Sequence, residues 1–202
     1  MSQFWSSKVK QLTPYVPGEQ PKVDNLIKLN TNENPYPPSP RVIDAIVKAA
    51  DSSLRRYPDP NCDALKQVVA NYFSVNRKSV FVGNGSDEVL ALSFISFFKQ
   101  SLPILFPDIS YSFYEVYCSI FEIQNIRVPL TEDFDISLVD YEQPNGGIIF
   151  PNPNAPTGKL LSLEQIKKLL EQNGETVVIV DEAYIDFGGD TAVQLIGEHP
   201  NL

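Results

Sequence analysis

Two cysteines, one histidine, one methionine and one tryptophan are spread over 202 residues, and these scarcities close off several classes of function. Cys62 and Cys118 have no further thiol or imidazole at ligand spacing. A thiolate metal site and a disulfide framework are therefore excluded, no metal is expected, and a reducing compartment fits. The lone imidazole, His199, lies near the end of the sequence and reads as a solvated residue. A Ser-His-Asp triad has nothing to be built from. Positive charge is also short: 16 Lys and Arg face 25 Asp and Glu, giving a net charge of -9 and a pI near 4.6. That sign is wrong for nucleic acid and for an anionic membrane surface. The longest apolar stretch, 89–98, is interrupted by serines and too short to span a bilayer. The opening MSQFWSSKVKQL contains no apolar h-region, so a cytoplasmic protein without a signal peptide is expected.

What remains suits a soluble globular chain: 43% of residues are hydrophobic, enough at this length to bury a core without staples. Prolines crowd residues 13–40 (Pro14, Pro17, Pro21, Pro35, Pro37, Pro38 and Pro40), which rules out helix or central strand there. This stretch reads as an extended arm lying across another surface, with Tyr15, Leu26, Ile27, Leu29 and Tyr36 as the side chains to bury. Ser39-Pro40 then starts a helix, and a second helix is expected from about Cys62 to Tyr72. From Ser79 the pattern alternates. Strands are expected at 79–82, 102–106, 126–129, 148–150 and 177–180, and helices at 87–98, 111–121 and from Ser162 to Asn173-Gly174. Ser162 and Gln165 form a capping box. Strand alternating with helix predicts an α/β fold with a mainly parallel sheet and flanking helices. The expected division is an arm over 1–38, a helical segment over 39–75 and a sheet domain over 76–202.

Three segments stand where such folds put ligands, beyond the carboxyl ends of strands. Gly83-Asn84-Gly85-Ser86-Asp87-Glu88 joins a strand to a helix N-terminus, whose unpaired N–H groups suit a phosphate; taken alone it is equally an ordinary capped turn. Pro151 to Gly158 is a rigid loop with two uncharged amide side chains, Asn152 and Asn154. Asp181-Glu182-Ala183-Tyr184 puts a carboxylate at the end of an apolar strand, where it needs a cationic or donor partner; alone it is equally a structural acid. Together they offer a carboxylate, a phosphate-binding helix start, a phenol and an amide. Pyridoxal phosphate requires that set, because a carboxylate that keeps its pyridine nitrogen protonated makes the ring an electron sink. Tyr111 is placed to stack on such a ring.

The runs Leu29-Asn30-Thr31-Asn32-Glu33-Asn34-Pro35, Arg56-Tyr57-Pro58-Asp59, Gly85-Ser86-Asp87-Glu88, Asn154-Ala155-Pro156-Thr157-Gly158 and Asp181-Glu182-Ala183-Tyr184 resemble fold-type I pyridoxal-phosphate aminotransferases, within them the histidinol-phosphate branch. The resemblance implies amino-group transfer between L-histidinol phosphate and 2-oxoglutarate, a homodimer with shared sites, and no nucleic-acid or membrane partner. It implies Asp181 at the pyridine nitrogen, Tyr184 at the phenolic oxygen, Tyr111 on the ring face, and Gly85, Ser86 and Asp87 at the cofactor phosphate. Tyr57 would reach the partner subunit's cofactor, and Tyr15, Asn32 and Glu33 would line the substrate pocket. Two departures stand out. The residue before Pro-Thr-Gly, often asparagine in the family, is Ala155, so either Asn154 takes over the bond to the phenolic oxygen or that contact is lost. The family's Schiff-base lysine lies one strand and one turn beyond Asp-Glu-Ala-Tyr, whereas no lysine or arginine follows Lys168 here. The resemblance therefore covers an N-terminal portion, and the 202 residues alone are expected to be inactive. Threonine-phosphate decarboxylase or aromatic aminotransferase activity, and a non-catalytic fragment, are the competing readings.

Overall fold

Three apolar runs and one alternating run form a four-stranded sheet: β1 Ile104–Pro107, β2 Asn125–Val128, β3 Ile148–Pro151 and β4 Val178–Asp181. Their order is β2-β1-β3-β4 and all pairings are parallel. Strands β1 and β3 sit centrally and bury all four residues each, whereas β2, at one edge, buries only Val128. That is how a continuous apolar run and an Asn-Ile-Arg-Val run should be distributed. The computed structural model describes residues 3–12, 18–19, 21–23 and 26–202. They form two units, residues 1–64 and 65–202.

In the second unit the strands send alternate side chains to two cores. Leu105, Ile148, Phe150 and Val178 meet Ile166, Leu169 and Leu170 of α6, Leu163–Gln172. Ile104, Phe106 and Ile149 meet Leu90, Phe94, Tyr114, Tyr117 and Cys118, carried by α4, Ser86–Phe97, and α5, Phe113–Phe121. The sheet is thus covered on both faces, the arrangement expected of α/β order. The capping box is present: Ser162 Oγ accepts from Gln165 N, and Gln165 Oε1 accepts from Ser162 N. Gly147 enters β3 at φ 141° with its Cα against the Phe98 ring; a Cβ there would lie 2.5 Å from Phe98 Cε1. Only glycine fits.

The first unit holds α1, Ser7–Gln11, and α2, Pro40–Ala49, which begins at Ser39-Pro40 as expected. Helix α3, Asp63–Phe73, begins at the boundary between the units. Leu26, Ile27, Leu29 and Tyr36 are exposed, Leu29 at 92%. Tyr15 lies outside the described residues.

Two expectations are corrected. Residues 79–82 form no strand. A 3-10 turn, Arg77–Ser79, takes the first of them, and no ladder partner for them exists among the described residues. An apolar extended run becomes a strand only when another strand takes its hydrogen bonds. His199 is half-buried rather than solvated: its N–H donates to Leu195 O at 3.0 Å, and its Nε2 is enclosed without a partner among the described residues. No helix of the described residues is long and apolar enough to cross a membrane.

Candidate active site

The chain leaves β1 toward β2 on one side, and β3 then joins β1 on the other. At such a reversal the loops beyond the two strands diverge and leave a crevice. Here the loop after β1 and the loop after β3 line it. They are tied by one bond, Asn154 Nδ2 donating to Ile109 O at 3.0 Å; the same amide also donates to Thr157 Oγ1 at 3.0 Å. Ile109 O can only accept, which fixes the amide orientation. Asn154 is 3% exposed, and its Oδ1 is enclosed without a partner among the described residues, as is the Oγ of Ser110, the residue after Ile109.

The loop after β3 is held by Asn152, 1% exposed. Its side chain copies a main-chain pair: Oδ1 accepts from Leu161 N at 2.8 Å, and Nδ2 donates to Leu161 O at 3.1 Å. Its own N–H donates to Asp181 O at 2.8 Å, locking the loop to the end of β4. Asp181 pairs with Pro151 in register. Its carboxylate accepts from Tyr114 Oη at 2.8 Å and from Ala183 N at 3.2 Å.

The Gly-rich turn delivers the start of α4. Gly85 is the N-cap at φ 82°, with no side-chain cap bond, so the first N–H groups of the helix keep the capacity that helix starts have for an anion. Nothing lies within 4 Å of where a Gly85 Cβ would stand. The Glu88 carboxylate takes Asn84 N. The Asp87 carboxylate is drawn onto α5, accepting from Tyr111 Oη at 3.0 Å and Tyr117 Oη at 3.3 Å, while Asp87 O accepts from Tyr117 Oη at 3.0 Å.

Three phenols of one helix segment therefore serve two carboxylates: Tyr111 and Tyr117 serve Asp87, and Tyr114 serves Asp181. The Tyr111 and Tyr114 rings meet edge to face at 5.5 Å, which makes both carboxylates part of one cluster. Burial first, then the Asp87 charge and hydrogen bond, push the Tyr117 hydroxyl up to about 12. Burial also raises Tyr111 and Tyr114, with Asp87 and Asp181 respectively adding to it. All three remain protonated donors at neutral pH. Tyr184 is half-buried beyond β4, and Glu182 caps the following turn through Thr191 and Ala192. A separate groove of about 360 Å³ runs along β4, lined by Phe97, Val178, Val180, Ala192, Ile196 and Leu202 among others; its lining is mainly apolar and shares only Glu182 and Ala192 with the residues just described.

Of the residues singled out in the sequence, the second unit holds Gly85, Asp87, Tyr111, Asn154 and Asp181, with Ser86 at the first position of α4 and Tyr184 just beyond β4. Asn32, Glu33 and Tyr57 belong to the first unit. Glu33 pairs with Lys28 at 2.5 Å, Asn32 adopts φ 53° and Tyr57 is fully exposed. Sequence reasoning missed Tyr114, Tyr117 and the structural role of Asn152. Helical spacing offered a signal for the tyrosines, since residues 111, 114 and 117 fall on one face.

Residues 24–202 match the family described as aminotransferase class I and II. Histidinol-phosphate aminotransferase 1 of Hydrogenovibrio crunogenus is 62% identical over all of this chain and 57% of its own length. Histidinol-phosphate aminotransferase 1 of Methylococcus capsulatus is 61% identical over the same shares. Among solved structures, histidinol-phosphate aminotransferase from Sinorhizobium meliloti in complex with pyridoxal-5'-phosphate gives a TM-score of 0.81 at 19% identity, over 100% of this chain and 57% of that one; this likeness concerns the fold. The chain thus spans a little over half the length of the curated relatives it matches.

Proposed function

Because the chain belongs to the aminotransferase class I and II family, we propose that its strand-end crevice holds pyridoxal 5'-phosphate and serves amino-group transfer between L-histidinol phosphate and 2-oxoglutarate. The observation that carries this reading is the pairing of a strand-end carboxylate with an uncapped helix start in one tyrosine-bridged cluster. An elongated ligand that is cationic at one end and anionic at the other fits that pair. Asp181 would take the pyridine N–H, the first amides of α4 at Gly85, Ser86 and Asp87 would take the phosphate, and Tyr111 would cover a ring face. When bound, the cofactor supplies an electron sink for charge developing at the substrate Cα.

The chain's own residues orient and protonate. Asp181 would hold a proton at the ring nitrogen, and the Tyr184 hydroxyl would donate to the ring's phenolic oxygen. Asn154 contributes differently from the family pattern, since both its amide protons are committed to Ile109 and Thr157 and its uncommitted atom is the acceptor Oδ1. Drawing the Asp87 carboxylate onto Tyr111 and Tyr117 keeps its charge from competing for the amides that an anion needs. Tyr57 would reach the cofactor of a partner subunit in a homodimer, and Tyr15, Asn32 and Glu33 would meet substrate. The 1–38 arm and the 39–75 helical segment would then serve the dimer and the small domain, in a cytoplasmic enzyme.

The full-length protein, supplied with pyridoxal phosphate, histidinol phosphate and 2-oxoglutarate, is expected to form glutamate. Release of carbon dioxide from threonine phosphate, or preference for phenylalanine, would replace this substrate assignment. A polypeptide of these 202 residues has no lysine after Lys168 and is expected to turn over neither substrate.

A further inference from the structure

The Tyr114 hydroxyl is buried in the aromatic core, where a phenol must find an acceptor. Main-chain carbonyls are the usual supply. Here the acceptor is a carboxylate 67 positions away, at the open end of another strand, 2.8 Å distant. The phenol has no freedom to leave it. Tyr114 is fully enclosed and its ring is wedged between Phe94 at 6.0 Å, Phe106 at 5.9 Å and Tyr111 at 5.5 Å. Three rings, from α4, β1 and the loop that leads into α5, thus determine where the hydroxyl points.

We propose that Tyr114 is a positioning residue for Asp181: its hydroxyl holds Oδ2 so that the carboxylate keeps one orientation at the crevice, with its remaining lone pairs offered to a cationic N–H. The inference rests on the reading of Asp181 as partner of the cofactor's pyridine nitrogen. A carboxylate held by a rigid donor loses less freedom on pairing than one that rotates, and such supporting bonds set the orientation of the groups that touch a ligand. The neutral phenol adds no charge to compete with the ligand's cation, as burial and the Asp181 charge keep it protonated. Tyr117 of α5 and Tyr111, two residues before it, give their phenols to Asp87, so this segment aligns both ends of the cluster, and Tyr114 is the phenol that serves the cationic end.

A double-mutant cycle on the full-length protein separates positioning from packing. Pyridoxal phosphate affinity is measured by equilibrium absorbance for the wild type, Tyr114→Phe, Asp181→Asn and the pair. Tyr114→Phe keeps the ring and is expected to weaken binding by roughly tenfold or more, the scale of a charge-assisted hydrogen bond. In the Asp181→Asn background the same change is expected to alter affinity by less than about twofold, because the group it acts through is already neutral. With a labelled ring nitrogen, the bound cofactor's 15N resonance should move toward the unprotonated value in Tyr114→Phe. Equal losses in both backgrounds, or no loss in either, would overturn the proposal. Crystal structures of the cofactor-free wild type and Tyr114→Phe decide it independently: a second Asp181 rotamer in the variant supports positioning, and an unchanged carboxylate overturns it. A wild type that fails to bind pyridoxal phosphate sinks the cofactor reading and leaves this last comparison intact.

Discussion

Replacing Asn152 by alanine tests how the crevice loop is held. The side chain makes two hydrogen bonds to the main chain of Leu161, at 2.8 and 3.1 Å, and Asn152 is 1% exposed. Alanine removes both partners and strands a buried N–H and a buried C=O. Leaving one such group unsatisfied costs about 1–3 kcal/mol, so two give roughly 2–6 kcal/mol, reduced by any water that enters. A protein of ordinary stability has only about 5–15 kcal/mol to lose. Urea unfolding of the full-length protein should show a lower midpoint with an unchanged slope. A midpoint shift worth under about 1 kcal/mol would refute the claim that Asn152 organises the loop. Asn152→Asp adds a check on sign. It keeps an acceptor for Leu161 N but sets an oxygen against Leu161 O, which the protonated acid can satisfy. Burial raises the folded acid above its unfolded value of about 3.9. The variant's relative stability should therefore be greatest below that pH and fall as pH rises.

Gly147→Ala forces a Cβ to 2.5 Å from Phe98 Cε1 at φ 141°; overpacking and left-handed strain together should cost about 2–5 kcal/mol in urea unfolding. Ser162→Ala removes half of a capping box and should cost about 0.5–2 kcal/mol, seen as a lower melting temperature. Tyr117 has a folded value of about 12, above the unfolded value of about 10, so its contribution is complete below about pH 10 and lost as pH rises through about 12. Phenolate absorbance followed with unfolding should show this alkaline loss, and Tyr117→Phe should flatten it.

The sheet order could be anticipated only in part from the sequence. Ile148 to Phe150 is apolar throughout and buried on both faces, as composition suggests, whereas Val178 to Val180, equally apolar, lies at a sheet edge and buries only Val178. Ser162 and Gln165 announce their helix by chemistry that acts within four residues. Residues 79–82 look just as much like a strand, yet a strand needs a partner, and pairing is not local information. The site divides in the same way. Asp181 stands at the end of a strand and Gly85 at the start of a helix, and both places are visible in the sequence. Tyr114 reads as a core aromatic, because its acceptor lies 67 residues further on. Asn154 illustrates a third limit: its amide looked like a spare donor until Ile109 and Thr157 were seen to take both protons.

The strand order also bears on when the crevice can come into being. Pairing β1 with β2 closes 21 residues, Leu105 to Ile126. Pairing β3 with β4 closes 30, Ile148 to Val178, and the seam between β1 and β3 closes 43, Leu105 to Ile148. Loop-closure entropy grows only logarithmically, so the longest closure costs about 0.6 kcal/mol more than the shortest. Chain length therefore barely ranks these events, and burial of α5 and α6 on their own strand pairs must do so. The seam is where Ile109 and Asn154 meet. The ligand crevice comes into existence only when the two halves of the sheet have joined, so the environment of Tyr111 at its mouth reports on the completion of the sheet.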